Sequence, residues 1–292
     1  MGLIITLSGH AQSFLTNGLV AYYPFSGNAN DASGNGNNGV VSGATLAVDR
    51  FGQTNCCYFF DGVSSRILAS IPNLPTTNQD RSLVLWAKYS GVGNAEVTYV
   101  PAAWGSNASG KAFGIMAQGA SPGWYGQCYG SGQDVSSGVS VDTNWHQIAF
   151  VLQTNTANVF CDGVLKASLP KSLNTGFSQF CIGTGVEYFI GRNTYFPGWI
   201  DDVRVYNRAV STNEIQLLYQ YESGSSQFTG AVLALQLNTT NLVVGGSYQI
   251  QTSTNLINWF NYGIPFIAIS TNAPQYVNMT SSQGYFRLLA AP

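Results

Sequence analysis

The chain has 292 residues, a net charge of −2 and 8% charged side chains, against about 25% in typical soluble proteins. That balance excludes the basic footprint of a nucleic-acid-binding protein, and no run is long and apolar enough to span a bilayer as a helix. At 13% aromatic residues the chain is also no disordered polar polymer. Solubility therefore falls to Asn, Ser, Thr, Gln and Gly, which suits an extracellular β-protein or a self-associating surface material with little charge repulsion between copies.

Residues 1–17 begin with MGLIITLSGHAQS, which reads as a clipped secretory leader. It has a short apolar run and a small-x-small site at Gly9, His10 and Ala11, but no basic residue. The alternative is a first strand over residues 3–7. Residues 19–25 (LVAYYPF) are strand-like, and the following Asn- and Gly-rich stretch, residues 26–39, is dense in turn signals. Further strands are expected at residues 57–60, ended by an Asp61-Gly62 turn, and at residues 82–88 (SLVLWAK). Weaker ones are expected near Tyr99, residues 113–117 and residues 124–129. Residues 145–153 (WHQIAFVLQ) form another strand. Residues 157–161 and 164–168 flank Asp162-Gly163 as a hairpin, and short strands follow at 180–182 and 188–192.

Residues 198–221 predict one strand and one short helix. Strict alternation puts Trp199, Asp201, Val203 and Val205 on one face, so Asp201 is expected to point into the core. Ile200, Asp202, Arg204 and Tyr206 take the other face. Ser211 and Glu214 form a capping box, Val210 can staple onto Ile215, and Ile215, Leu218 and Tyr219 make one apolar stripe. Residues 223–227 (SGSSQ) are a linker by composition. The strand pattern then restarts at 231–237, 247–252, 259–269, 275–280 and 285–290. The expected fold is all-β: an antiparallel two-sheet sandwich over residues 18–222 with one closing helix, then a small β-domain over residues 228–292.

The five cysteines fit no zinc spacing. They read either as small buried hydrophobes or, in an oxidising compartment, as disulfide partners, with Cys161 and Cys181 the expected pair; the odd count leaves a thiol over.

The motifs in order are GLVAYYPFSGNANDASGNGNNG, YFFDG, SLVLWAK, NWHQIAFV, FCDGVLKA, FIGRN and GWIDDVRVYNRAVSTNEIQLLY. Together they resemble the laminin-G-like, concanavalin-A-like jelly-roll family of bacterial secreted proteins. Residues 228–292, with SYQIQTSTNLINW and YFRLLAAP, look like a C-terminal module of secreted proteins from Verrucomicrobia-like bacteria. The resemblance implies two curved sheets, a concave face that takes glycans and often one structural calcium. It pairs the loop around Asp31 with the strand carrying Asp201, so Asp31, Asn35 and Asp201 are the candidate calcium ligands. The other reading is that Asp31 makes turns and Asp201 accepts backbone N–H bonds.

A laminarinase-type hydrolase would need two carboxylates flanking one bond. Glu96, Glu187, Glu214 and Glu222 are scattered, Asp201 and Asp202 alternate in direction, and His146 has no Ser or Cys nucleophile placed for it, so no enzyme is expected. Sugar sites use exposed rings with a few polar partners. Trp104, Trp124, Tyr125, Tyr129, Arg192, Asn193 and Tyr195 lie in glycine-rich or loop segments and are the candidate glycan-binding residues. The expectation is a secreted or cell-surface protein that binds a polysaccharide or glycan without catalysis. The alternative is a subunit that polymerises with copies of itself into a fibre, exchanging its N-terminal strand.

Overall fold

The computed structural model describes residues 13–92, 98–118, 123–130, 132–186, 194–224, 233–253, 257–279 and 285–290. The leader-like segment and the expected strand over 188–192 lie outside the described residues. The chain divides into two compact units at residue 225.

In the larger unit a short helix α1 (Ser13–Thr16) precedes β1 (Leu19–Tyr23), β2 (Gly39–Ser42), β3 (Thr45–Ala47), β4 (Cys57–Asp61) and β5 (Arg66–Ala69). β6 (Arg81–Tyr89), β7 (Thr98–Gly105), β8 (Ala112–Gln118), β9 (Gly123–Gln127) and β10 (Val135–Ser136) follow. β11 (Trp145–Gln153), β12 (Thr156–Cys161), β13 (Val164–Pro170), β14 (Phe180–Ile182), β15 (Pro197–Tyr206) and helix α2 (Thr212–Glu222) complete the unit. One sheet has eight strands in the order β13-β12-β11-β6-β15-β4-β3, with β1 also paired to β15; the other has seven, in the order β10-β9-β8-β7-β14-β5-β2. All pairings between named strands are antiparallel. The result is the two-layer sandwich that the spacing of short strands predicts.

The core lies between the sheets. Leu83, Leu85, Phe150, Val203 and Val205 of one layer meet Trp104, Phe113, Ile115 and Trp124 of the other. Phe113 and Phe150 stack across the layers with ring centroids 4.3 Å apart. Gly126 is required there: a Cβ would sit 2.3 Å from a Phe150 ring carbon. β6 is buried along most of its length because a second apolar layer covers its outer face. Helix α2 supplies that cover. Ser211 and Glu214 form the reciprocal cap. Ile215 and Leu218 pack on Val84, Ala149, Val151, Phe160 and Tyr206, with Val210 in the same cluster.

Strict alternation fails in β15. Ile200, Val203 and Val205 all face the core, because the register slips between Asp201 and Arg204 and Asp202 takes a left-handed φ of 46°. This bulge inserts one extra residue and changes which side chains face outward. Asp201 is buried, but its carboxylate meets Arg50 rather than the core between the sheets. Asp201 and Asp202 therefore converge on one cation instead of pointing to opposite faces.

The expected Cys161–Cys181 disulfide does not form. Cys161 ends β12 in the eight-stranded sheet. Cys181 lies in β14 of the other sheet, between Phe180 and Ile182, both of which face the core, so its own side chain turns outward.

In the smaller unit β16 (Leu233–Thr239) pairs with β19 (Ala273–Met279). β17 (Ser247–Ser253) lies between β18 (Phe260–Ile267) and β20 (Tyr285–Ala290). Leu242 and Ala268 are buried here against Tyr248, Phe266 and Leu288.

Candidate binding groove and buried charge cluster

Alternation along β8 and β9 builds a groove on the outer face of the seven-stranded sheet. Trp124 and Cys128 point into the core, so Tyr125, Gln127 and Tyr129 point away from it. On β8, Phe113 and Ile115 face the core and Met116 faces out. A small outer cluster of Val100, Ala103, Ala112, Met116 and Val186 lies on this face, with Tyr125 and Tyr129 packed against it. The hollow has a volume of about 300 Å3 and is lined by Thr98, Met116, Gln127, Tyr129, Gly130, Asp134 and Thr194.

Asp134 is the carboxylate of this lining. Its Oδ1 accepts the backbone N–H groups of Cys128 and Tyr129 at 2.7 and 2.9 Å, which fixes its position. Burial pushes its pKa up, outweighing those two N–H bonds. A desolvated acceptor beside a half-buried ring and an amide is the combination that takes a sugar: the ring stacks on C–H faces and the polar groups bond hydroxyls.

The candidate glycan residues divide accordingly. Tyr125 and Tyr129 are on the outer face, and Tyr195 is half-buried beside Thr194 of the lining. Trp104 and Trp124 are core residues, fully buried between the sheets, so they cannot serve as stacking platforms. Glycine-rich flanks suggested exposure, yet both rings sit on the inward parity of their strands. Arg192 and Asn193 lie outside the described residues. Met116, Gln127, Asp134 and Thr98 were missed by sequence reasoning. The inward parity of Trp124 was the available signal for Gln127, and the others come from separate segments.

The calcium expectation does not fit. Calcium takes six to eight oxygen ligands. Asp31 already accepts from the N–H groups of Tyr22, Ser33 and Asn37 and from the Ser33 hydroxyl, at 2.8–2.9 Å. Asn35 turns its Nδ2 inward as a donor to the Leu19 and Val20 carbonyls. Asp201 Oδ2 faces the Arg50 cation at 2.5 Å. Asp31 is thus the hydrogen-bonded hub of its own loop and shares no partner with Asp201. Added Ca2+ is expected to leave the melting temperature unchanged in scanning calorimetry; a rise that Asp31→Asn removes would restore the calcium site.

The second concentration of chemistry is buried beneath the end of α2. Arg50, from the loop after β3, bonds Asp201 at 2.5 Å and Asp202 at 2.6 Å, and its Nε donates to the Glu222 carbonyl at 2.9 Å. Glu222 accepts from Arg204 Nε at 2.7 Å, Trp86 Nε1 at 2.8 Å and Gln147 Nε2 at 3.0 Å. The Tyr22 hydroxyl donates to Asp202 at 2.6 Å. Trp86 stacks on Tyr219 of α2 with centroids 5.6 Å apart, and Arg50 lies over the Trp86 ring. Three carboxylates thus face two guanidiniums. Burial, then the neighbouring Asp202 charge, holds the Asp201 carboxyl up at about 8, and burial raises Glu222 as well. Each member is held by protein partners, so this is a structural clasp joining the helix, the loop after β3 and the eight-stranded sheet.

Two antiparallel layers, a helix on one outer face and a groove on the other define a lectin-like sandwich. A family model described as the concanavalin A-like lectin/glucanases superfamily matches residues 61–216, more than half of the chain, and the protein belongs to that family. No curated protein matches it. Among solved structures it is similar to domain 4 of AbnA, a GH43 extracellular arabinanase from Geobacillus stearothermophilus, in complex with arabinotriose. That match has 21% identity and a TM-score of 0.54, over 69% of this chain and 98% of the domain. It is also similar to the Trypanosoma rangeli sialidase, at 18% identity and a TM-score of 0.52, over 69% of this chain and 32% of the sialidase. A third similar structure belongs to botulinum neurotoxin type C, whose cell entry depends on interaction with two ganglioside molecules. There the identity is 13% and the TM-score 0.54, over 82% of this chain and 58% of that one. The chain thus spans about a third of the sialidase, and at these identities the likeness is one of fold. No helix among the described residues is long and apolar enough to cross a membrane.

Proposed function

We propose that the protein is a non-catalytic, extracellular carbohydrate-binding module whose ligand, a polysaccharide or surface glycan, lies in the groove on the outer face of the seven-stranded sheet. The observation that carries this reading is the groove lining: the Tyr129 ring and Met116 beside Gln127, Asp134, Thr98 and Thr194. The arabinotriose bound by the similar arabinanase domain supports the same ligand class. Asp134 is the single carboxylate among the lining residues, whereas two-carboxylate hydrolysis needs a facing pair.

A glycan array followed by calorimetry tests it. Tyr129→Ala is expected to weaken binding about tenfold, the equivalent of ~1.4 kcal/mol, and Thr98→Trp, at a half-buried lining position, to block the groove while the fold persists. Binding unchanged in both variants would move the ligand elsewhere. The alternative, self-assembly, draws on the edge strand β13, where Val164, Leu165 and Leu169 are exposed. An apolar edge strand is a template for another chain. Size-exclusion chromatography and negative-stain imaging separate the two: monomers that bind glycan favour the first, and fibres without glycan binding favour the second.

A further inference from the structure

A side-chain cluster apart from both the groove and the clasp is assembled by the β11–β12–β13 hairpins. β11 and β12 pair with Cys161 opposite Ile148, which brings the end of β12 beside the start of β11. Asp162 then opens a two-residue turn with Gly163, at φ of 52° and 76°. The turn is tied down at both backbone groups. Asp162 N–H donates to the Gln147 carbonyl at 2.8 Å, and Gln147 N–H donates to Asp162 Oδ1 at 3.0 Å. The remaining oxygen, Oδ2, is therefore aimed at His146 Nδ1, 2.7 Å away. Cys161 Sγ lies 3.9 Å from the same nitrogen and 3.6 Å from Asp162 Oδ2. The thiol that a disulfide would have consumed thus faces an imidazole and a carboxylate. These three donor atoms lie within 4.8 Å of one another.

We propose that His146 Nδ1, Cys161 Sγ and Asp162 Oδ2 form a site for a divalent transition metal of the zinc class, with a fourth position open to solvent. Zinc holds nitrogen, sulfur and oxygen donors at about 2.0–2.3 Å, so ligand atoms around a tetrahedral ion sit roughly 3.3–3.8 Å apart. The two sulfur separations need little adjustment. The close His146–Asp162 contact opens when the metal replaces the proton between them, and the Cys161 thiol proton is released to solvent as the metal–sulfur bond forms. A mixed thiolate, imidazole and carboxylate set selects zinc-like ions over calcium or magnesium. The outer partner is also present: His146 Nε2 lies 3.1 Å from Asp142 Oδ1. A carboxylate on the far nitrogen fixes the ring and its tautomer, as metal-ligating histidines require. The His146 and Asp162 side chains are 16% and 33% exposed, so an ion can enter. A cysteine nucleophile is the weaker reading, because Cys161 is itself buried away from any substrate. This inference is independent of the glycan reading.

Metal-free full-length protein titrated with Co2+ tests the site. The expected result is saturation at one equivalent, with a thiolate-to-cobalt charge-transfer band in the near ultraviolet and the visible bands of four-coordinate cobalt. Cys161→Ser is expected to abolish the charge-transfer band and Cys56→Ser to leave it intact. Asp142→Asn is expected to weaken binding about 10–100-fold, the range for loss of such an outer carboxylate. Zn2+ is expected to raise the melting temperature of the parent and not of Cys161→Ser. If Cys161→Ser does not fold, His146→Gln carries the same readouts. No charge-transfer band in the parent, or one that persists in both Cys161→Ser and His146→Gln, would overturn the proposal.

Discussion

Replacing Arg50 by Met is expected to destabilise the larger unit by about 3–5 kcal/mol, the usual cost of breaking a buried ion pair from one side. Arg50 is the cation between Asp201 and Asp202, and its side chain is 6% exposed in both contacts. Its own burial disfavours the charge, and Asp202 and then Asp201 more than compensate, so its pKa rises. Methionine would fill much of the space over Trp86 but leave Asp202 and Glu222, with the Asp201 carboxyl beside them, sharing the one remaining guanidinium, Arg204. For a domain of this size the melting temperature should fall by about 10 °C. Arg50→Lys should lie between the two, because a lysine ammonium cannot bridge both carboxylates as a planar fork does. Thermal melts monitored by circular dichroism give the answer. A methionine variant melting within about 2 °C of the parent would mean that the carboxylates discharge by taking up protons and that the ion pair contributes little.

The second large effect concerns pH. The Asp201 carboxyl is held up at about 8 in the folded protein against an ordinary 3.8, first by burial and next by the Asp202 charge. A carboxyl whose folded pKa exceeds its unfolded pKa binds its proton more tightly when folded. Its contribution to stability is therefore full below the unfolded value of 3.8 and is lost as the pH rises through the window up to about 8. Asparagine keeps the shape and has no proton to lose. Asp201→Asn should match the parent at the acid end of that window and become the more stable protein across it, by on the order of a few kcal/mol at its alkaline end. Urea midpoints at both ends of the window measure the difference. A parent that gains on the variant as the pH rises would show instead that Asp201 is ionised and that its pair with Arg50 is favourable.

Much of the architecture was legible in the residues. The apolar runs 82–88 and 145–153 became β6 and β11, adjacent strands of the eight-stranded sheet. The Asp162-Gly163 turn joined β12 to β13. The capping box placed the start of α2, and its apolar stripe predicted the buried Ile215 and Leu218. These signals are local: each depends on residues a few positions apart. Less was legible in the sites. Trp104 and Trp124 were expected to be exposed because glycine surrounds them, but strand parity rather than flanking composition decided which way each ring points. Glu222 was set aside as scattered, although it falls on the buried stripe of α2 with Ile215 and Leu218. Its spacing was a usable signal for the clasp.

The local patterns of the sequence determined the strand-rich class, the turn positions, the single capped helix and the family to which the chain belongs. Tertiary structure alone decided which residues became chemical neighbours. Arg50 meets Asp201 across 151 positions of chain, Trp86 meets Glu222 across 136, and Cys161 reaches His146 through strand register. The physical reason is that alternation assigns a side chain to a face only while the pairing register holds. The bulge at Asp202 breaks that register, because one extra residue in a strand turns its neighbours to the other side of the sheet.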